Sequence, residues 1–99
     1  MVFKKERRFF MKSFITVTGK DAVGVVAKVA TLCSEMNINI LDVTQSILSG
    51  MFAMIMLVDM SGCNVSHREA RKNFALLREK MNMDINLTRS EVFDAMHKI

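Results

Sequence analysis

Gly19 and Gly24 bracket a short stretch whose residue types suit ligand chemistry, Gly19-Lys20-Asp21-Ala22-Val23-Gly24. Gly19 permits an unusual backbone angle. Gly24 lacks a side chain in a first helical turn, so another backbone or a ligand can approach closely. The helix that follows offers unpaired N–H groups and a partial positive charge, which suit a carboxylate. The same spacing also describes a tight strand–helix connection that binds nothing, and both readings stand at this point. A phosphate-binding loop is excluded, because Val25-Val26 occupy the places where Lys-Ser/Thr is required.

Other groups that could do chemistry are few. His67 and His97 are the two histidines. His67 reads as a solvated residue in the first turn of a helix, and His97 as a packing or solvated residue of a terminal helix. Cys33 falls on the apolar face of a helix and reads as core. Cys63 lies thirty positions away, so the pair forms neither a disulfide framework nor a zinc site. The ten methionines recur at strand and helix spacing and read as adaptable core fillers. No nucleophile–base pair is visible. The chain reads as a non-enzyme, with no catalytic residue, no metal ligand and no cofactor.

The elements that position these residues follow from periodicity. Lys12 to Thr18 alternates, with Ser13, Ile15 and Val17 on one side, and reads as a strand. Asp21 is a good N-cap for a helix from about Ala22 to Met36, with Val25, Val26, Val29, Leu32, Cys33 and Met36 on its buried stripe. A strand runs from Ile38 to about Leu48. Its apolar phase changes between Ile38/Ile40 and Leu41/Val43/Ile47, which a β-bulge near Ile40-Leu41 reconciles. Ser49-Gly50 is a hairpin turn. Met51 to Met60 is apolar on both faces and reads as a central strand covered on both sides. Ser66-His67-Arg68-Glu69 is a capping box that opens a second helix to about Asn82, burying Ala70, Phe74, Leu77 and Met81. Asp84 to about Arg89 is a last strand, and Glu91 to Ile99 a short helix. The fold class is α+β: a ferredoxin-like βαββαβ sandwich, a four-stranded antiparallel sheet with two helices on one face and a short C-terminal helix. The other face needs a cover, from the terminal helix, a second subunit or both.

Composition sets the remaining bounds. The chain has 99 residues, one domain's worth, and 51% are hydrophobic, rich for a small monomer. Of the net charge of +4, residues 1–10 carry +3 and residues 11–99 only +1. Residues 1–10 therefore read as a basic, disordered N-terminal extension, and residues 11–99 as the domain. With a near-neutral body no basic face and no direct nucleic-acid contact are expected. No run approaches the ~20 apolar residues of a membrane span, and the basic tail lacks the apolar run of a signal peptide. The expected location is the cytoplasm, which the lack of a disulfide framework also fits.

Other users of this topology leave marks that are missing here. The first βα loop has no C-x-x-C for a soft cation and no Arg to cradle phosphate. The central strand carries only Phe52 where an RNA-binding sheet would carry stacking aromatics. What the chain does carry is Gly19-Lys20-Asp21-Ala22-Val23-Gly24-Val25-Val26, a helix, and then Asn37-Ile38-Asn39-Ile40-Leu41-Asp42-Val43-Thr44-Gln45. The strand Gly50 to Asp59 and the ending Glu91 to Ile99 follow. These four segments in order resemble ACT domains, and most of all the small stand-alone ACT proteins related to the glycine-cleavage-system transcriptional repressor. The resemblance covers Met11 to Ile99.

The resemblance implies a regulatory role: a side-by-side homodimer with a continuous sheet and an amino-acid site at the interface. By position, Asp21, Ala22, Val23 and Gly24 would line the loop side of that site. Asn39, Leu41 and Asp42 would line the strand side, with Asn39 and Asp42 on the ligand ammonium. Many ACT domains regulate an attached enzyme, and this chain carries none, so its output would pass to a separate metabolic enzyme or regulator. A ligand-free dimerisation or protein–protein interaction module is the alternative.

Overall fold

Ser13, Ile15 and Val17, which alternate along β1 (Lys12–Gly19), are all buried. This inward phase anchors the sheet in the computed structural model, which describes residues 11–20 and 23–91, with Leu48 described by its backbone. The other elements are α1 (Val25–Glu35), β2 (Asn39–Leu48), β3 (Met51–Asp59), α2 (His67–Met81) and β4 (Asp84–Arg89). They give the expected βαββαβ order. The sheet is antiparallel throughout, in the order β2-β3-β1-β4, so β1 and β3 are central and β2 and β4 are edges.

One core fills the space between sheet and helices. Ile15 and Val17 from β1, Met54, Met56 and Val58 from β3, and Ile85 and Leu87 from β4 meet Val25, Val29 and Cys33 of α1 and Ala70 and Phe74 of α2. Met54 and Met56 of β3 are thus core fillers, as their spacing predicts, whereas Met51 at the start of the strand is not. β3 is central but, among the described residues, not covered on both sides. On its far face Met51 is 46% exposed and Ile55 42%, because both helices lie on the opposite face.

The turns follow local chemistry. Ser49 (φ 52°) and Gly50 (φ 78°) both adopt the left-handed conformation that a two-residue hairpin turn requires. The register of β2 against β3 shifts between Ile40 and Asp42, leaving Leu41 as the bulged residue where the phase change places it. At the end of α1 the Ile38 N–H donates to Cys33 O (2.8 Å) and the Asn37 N–H to Ser34 O (3.1 Å), with Asn37 left-handed. This is a Schellman ending. The loop after β3 covers the remaining carbonyls: the Asn64 N–H donates to Met36 O (3.0 Å), and its Nδ2 to Glu35 O (3.0 Å).

Helix α2 starts at the expected cap. The Ser66 hydroxyl accepts the Glu69 N–H at 3.1 Å. The reciprocal bond from Glu69 to the Ser66 N–H is not formed among the described residues. Helix α1 starts later than its sequence implies. Its N-cap is Gly24, not Asp21, and no side chain caps it among the described residues. Of the terminal helix, Ser90 and Glu91 are described and helical. Its remainder and the expected extension over residues 1–10 lie outside the described residues.

Candidate functional site

The loop after β1 narrows around its two glycines for different reasons. Gly19 does not take a left-handed angle, contrary to the sequence reading. A Cβ there would instead run into the Met83 side chain, with Met83 Cγ at 2.9 Å, so Gly19 serves close packing. Gly24 is left-handed (φ 75°, ψ −6°), and a Cβ added to it would meet nothing within 4 Å. Among the described residues, the space that such a Cβ would enter is therefore open. Gly24 O accepts the Lys28 N–H at 3.0 Å, closing the first turn. The first turn of α1 holds no acidic residue and, among the described residues, no side-chain cap. Its leading N–H groups can donate to a carboxylate from outside. Val23 beside them is 83% exposed. Asp21 and Ala22 lie outside the described residues.

The strand half of the expected site sits on β2. Asn39 lies opposite Asp59, and Leu41 occupies the bulge at 40% exposure. Asp42 is exposed, and its carboxylate accepts the Val43 N–H at 2.9 Å. Residues 41–47 are exposed without a break, on both faces of the strand. Asn39 and Ile40 also line a groove of about 580 Å³ between the end of α1 and the loop at Ser61-Gly62.

One protomer does not bring the two halves together. Gly19 pairs with Phe52, which also pairs with Ile47, so the loop sits at the Ile47 end of β2. Asn39 and Lys12 both pair with Asp59, at the other end. At about 3.3 Å per residue the halves are roughly 20–25 Å apart along the strand.

Elsewhere the structure departs from the sequence reading at His67. It is half-buried, with Nε2 3.4 Å from Oγ of the buried Ser13. Burial, then the charges of Arg89 and Arg71, hold its pKa below the usual imidazole value. Ser13 and His67 are 54 positions apart, and no local pattern joins them. Cys33 is core as read: burial and the neighbouring Cys63 push its thiol up to about 11. Among the described residues no cluster of three or more His, Cys, Asp or Glu could hold a metal, and no helix is long and apolar enough to cross a membrane.

The open glycine-led helix start, the bulged edge strand and the βαββαβ sheet coincide with a family model, the ACT domain, matched over residues 14–88. This chain belongs to the ACT domain family. A UPF0237 protein of Listeria monocytogenes is 42% identical over 89 residues, 90% of this chain and the whole of that protein. An ACT domain protein from Streptococcus pneumoniae has the same fold with a TM-score of 0.75 and 34% identity, covering 88% of this chain and 98% of that one. A candidate glycine cleavage system transcriptional repressor superposes with a TM-score of 0.68 at 20% identity, over 82% of this chain and 46% of its own; that likeness is one of fold. The ACT domain here thus matches relatives of its own length, as its stand-alone resemblance implies.

Proposed function

We propose that this ACT domain is a non-catalytic regulatory module that binds an amino acid between two copies of the chain and passes the signal to a separate partner. The observation that carries the reading is the open edge of β2. Ten residues long, it pairs only with β3 among the described residues, and it exposes Leu41, Val43 and Ile47, the last at 71%. A long apolar edge of unpaired N–H and C=O groups is a template for another strand. Antiparallel pairing of two β2 strands about a two-fold axis would set the Asn39 end of one copy beside the Ile47 end of the other. That is the end at which the partner's first βα loop lies. The halves held apart in one protomer would then face each other across the interface. The leading N–H groups of α1 beside Gly24 would take the ligand carboxylate. Asn39 and Asp42 would take its ammonium, with Asp21, Ala22, Val23 and Leu41 shaping the wall.

A thermal-shift screen against the twenty amino acids tests this. A ligand at a hundredfold excess over its Kd adds about 2.7 kcal/mol. For a domain of this size each kcal/mol raises the midpoint by about 4–8 °C. A shift with one amino acid, lost in Gly24→Val while the dimer persists, is the expected result. A stable dimer that no amino acid stabilises would instead favour a ligand-free interaction module, a reading that the exposed Met51 and Ile55 on the open sheet face support.

A further inference from the structure

The charges of this chain sum to little along the sequence, but the fold sorts them. Arg71 and Lys72 lie three and four residues after Arg68 on α2, Arg78 lies two turns beyond Arg71, and all four line one groove, of about 490 Å³, against β4. The floor of that groove is apolar, made by Ala75, Ile85 and Leu87. Arg78 has a carboxylate near it, Asp84 at 4.0 Å; among the described residues no ion pair engages Arg68, Arg71 or Lys72. The other wall is the outer edge of β4, which among the described residues pairs with β1 alone.

We propose that the groove between α2 and the outer edge of β4 docks an extended acidic polypeptide segment, added as a further strand beside β4 with alternate carboxylates directed at Arg68, Arg71, Lys72 and Arg78. Each feature selects part of that description. An edge strand offers a ladder of backbone N–H and C=O groups that only another polypeptide backbone matches in spacing. In an added strand every second side chain points to the helix side, about 6.6–7 Å apart. Helix neighbours three and four apart stand about 5–6 Å apart, close enough for long Arg and Lys side chains to reach successive carboxylates. The apolar floor takes the aliphatic stems of the same residues. A nucleic acid is the weaker fit: the groove has cations but no exposed aromatic for base stacking. This surface lies at the opposite sheet edge from β2, so its occupation is independent of the dimer reading.

Fluorescence anisotropy of the full chain with a short labelled peptide alternating glutamate and threonine tests the proposal. A threonine–lysine peptide and an oligothymidine of similar length serve as controls. The acidic peptide should bind, and amide hydrogen exchange should slow across Asp84 to Arg89. Arg71→Glu combined with Lys72→Glu should weaken binding by about tenfold or more, while Lys28→Glu on α1 leaves it unchanged. Arg68→Gln with Arg71→Gln, a milder pair, guards against misfolding and should weaken it in the same direction. Equal binding of both peptides, binding of oligothymidine in preference to the acidic peptide, or binding without slowed exchange in β4 would overturn the proposal, as would no binding at all.

Discussion

His67 stands at the first turn of α2 with Arg71 and Arg89 acting on it and Ser13 beneath it. Its folded pKa lies below the 6.5 of an unperturbed imidazole, so below that pH the unfolded chain takes up the proton more readily. Stability contributed by neutral His67 is full above about pH 6.5 and is lost as the pH falls through the folded value. The melting midpoint should therefore drop on acidification from about pH 7.5 to pH 5, and His67→Gln should flatten that slope. Differential scanning calorimetry across pH reads both. The two cysteines should separate in reactivity. With its thiol near 11 and its side chain 1% exposed, Cys33 should resist iodoacetamide until the chain unfolds, while half-buried Cys63 is modified first, as mass spectrometry would show. Gly24 carries a backbone constraint independent of any ligand. At φ 75°, Gly24→Ala should cost about 1–2 kcal/mol by denaturant titration although nothing obstructs the new Cβ. At this scale the sequence was partly legible. Cys33 declared itself through helical spacing, but the Ser13–His67 contact joins distant positions, and Asp21 looks like a cap because its type fits one. The left-handed Gly24 starts the helix later, for a reason that lies in a dihedral angle and not in a side chain.

At the scale of elements the pattern carried further. The bulge in β2 was readable because a strand buries one face, and a change of apolar phase must be absorbed by an extra residue. Less legible was how far the helices reach. Two helices leave β2 bare, so Val43 and Ile47 pair with buried Met56 and Phe52 yet stand exposed themselves. Ile47→Lys should therefore leave stability nearly unchanged, within about 0.5 kcal/mol, while shifting a dimer toward monomer by light scattering. Phe74 of α2 behaves oppositely. It is 1% exposed at the centre of the core, and Phe74→Ala should cost about 3–5 kcal/mol. The basic groove escaped the sequence reading because cations on α2 are offset, in a count along the chain, by carboxylates that the fold carries elsewhere, such as Asp42 and Asp59.

For the whole molecule, the position of each charge and each open edge matters more than its total. Two edges of opposite character bound one sheet: β2, long and apolar, and β4, short and flanked by arginine and lysine. A module built this way can meet a second copy on one side and an acidic partner on the other without competition. Coupled dimerisation and ligand binding would also make the apparent amino-acid affinity depend on protein concentration, rising as the chain is concentrated through its dimer constant; isothermal titration at several dilutions checks this.

The pairing of β1 with β4, from Ser13 opposite Arg89 to Thr18 opposite Asp84, has a temporal consequence. During synthesis the strand at the middle of the sheet emerges early and must wait for its neighbour until residue 89 has been made. At about 5–20 residues per second, the 70 positions between Gly19 and Arg89 take roughly 4–14 s. Even once Asp59 has been made and β3 exists to pair with β1, the core cannot close, since Ile85 and Leu87 do not yet exist. Of the described strands, the one made last is the one that completes the core.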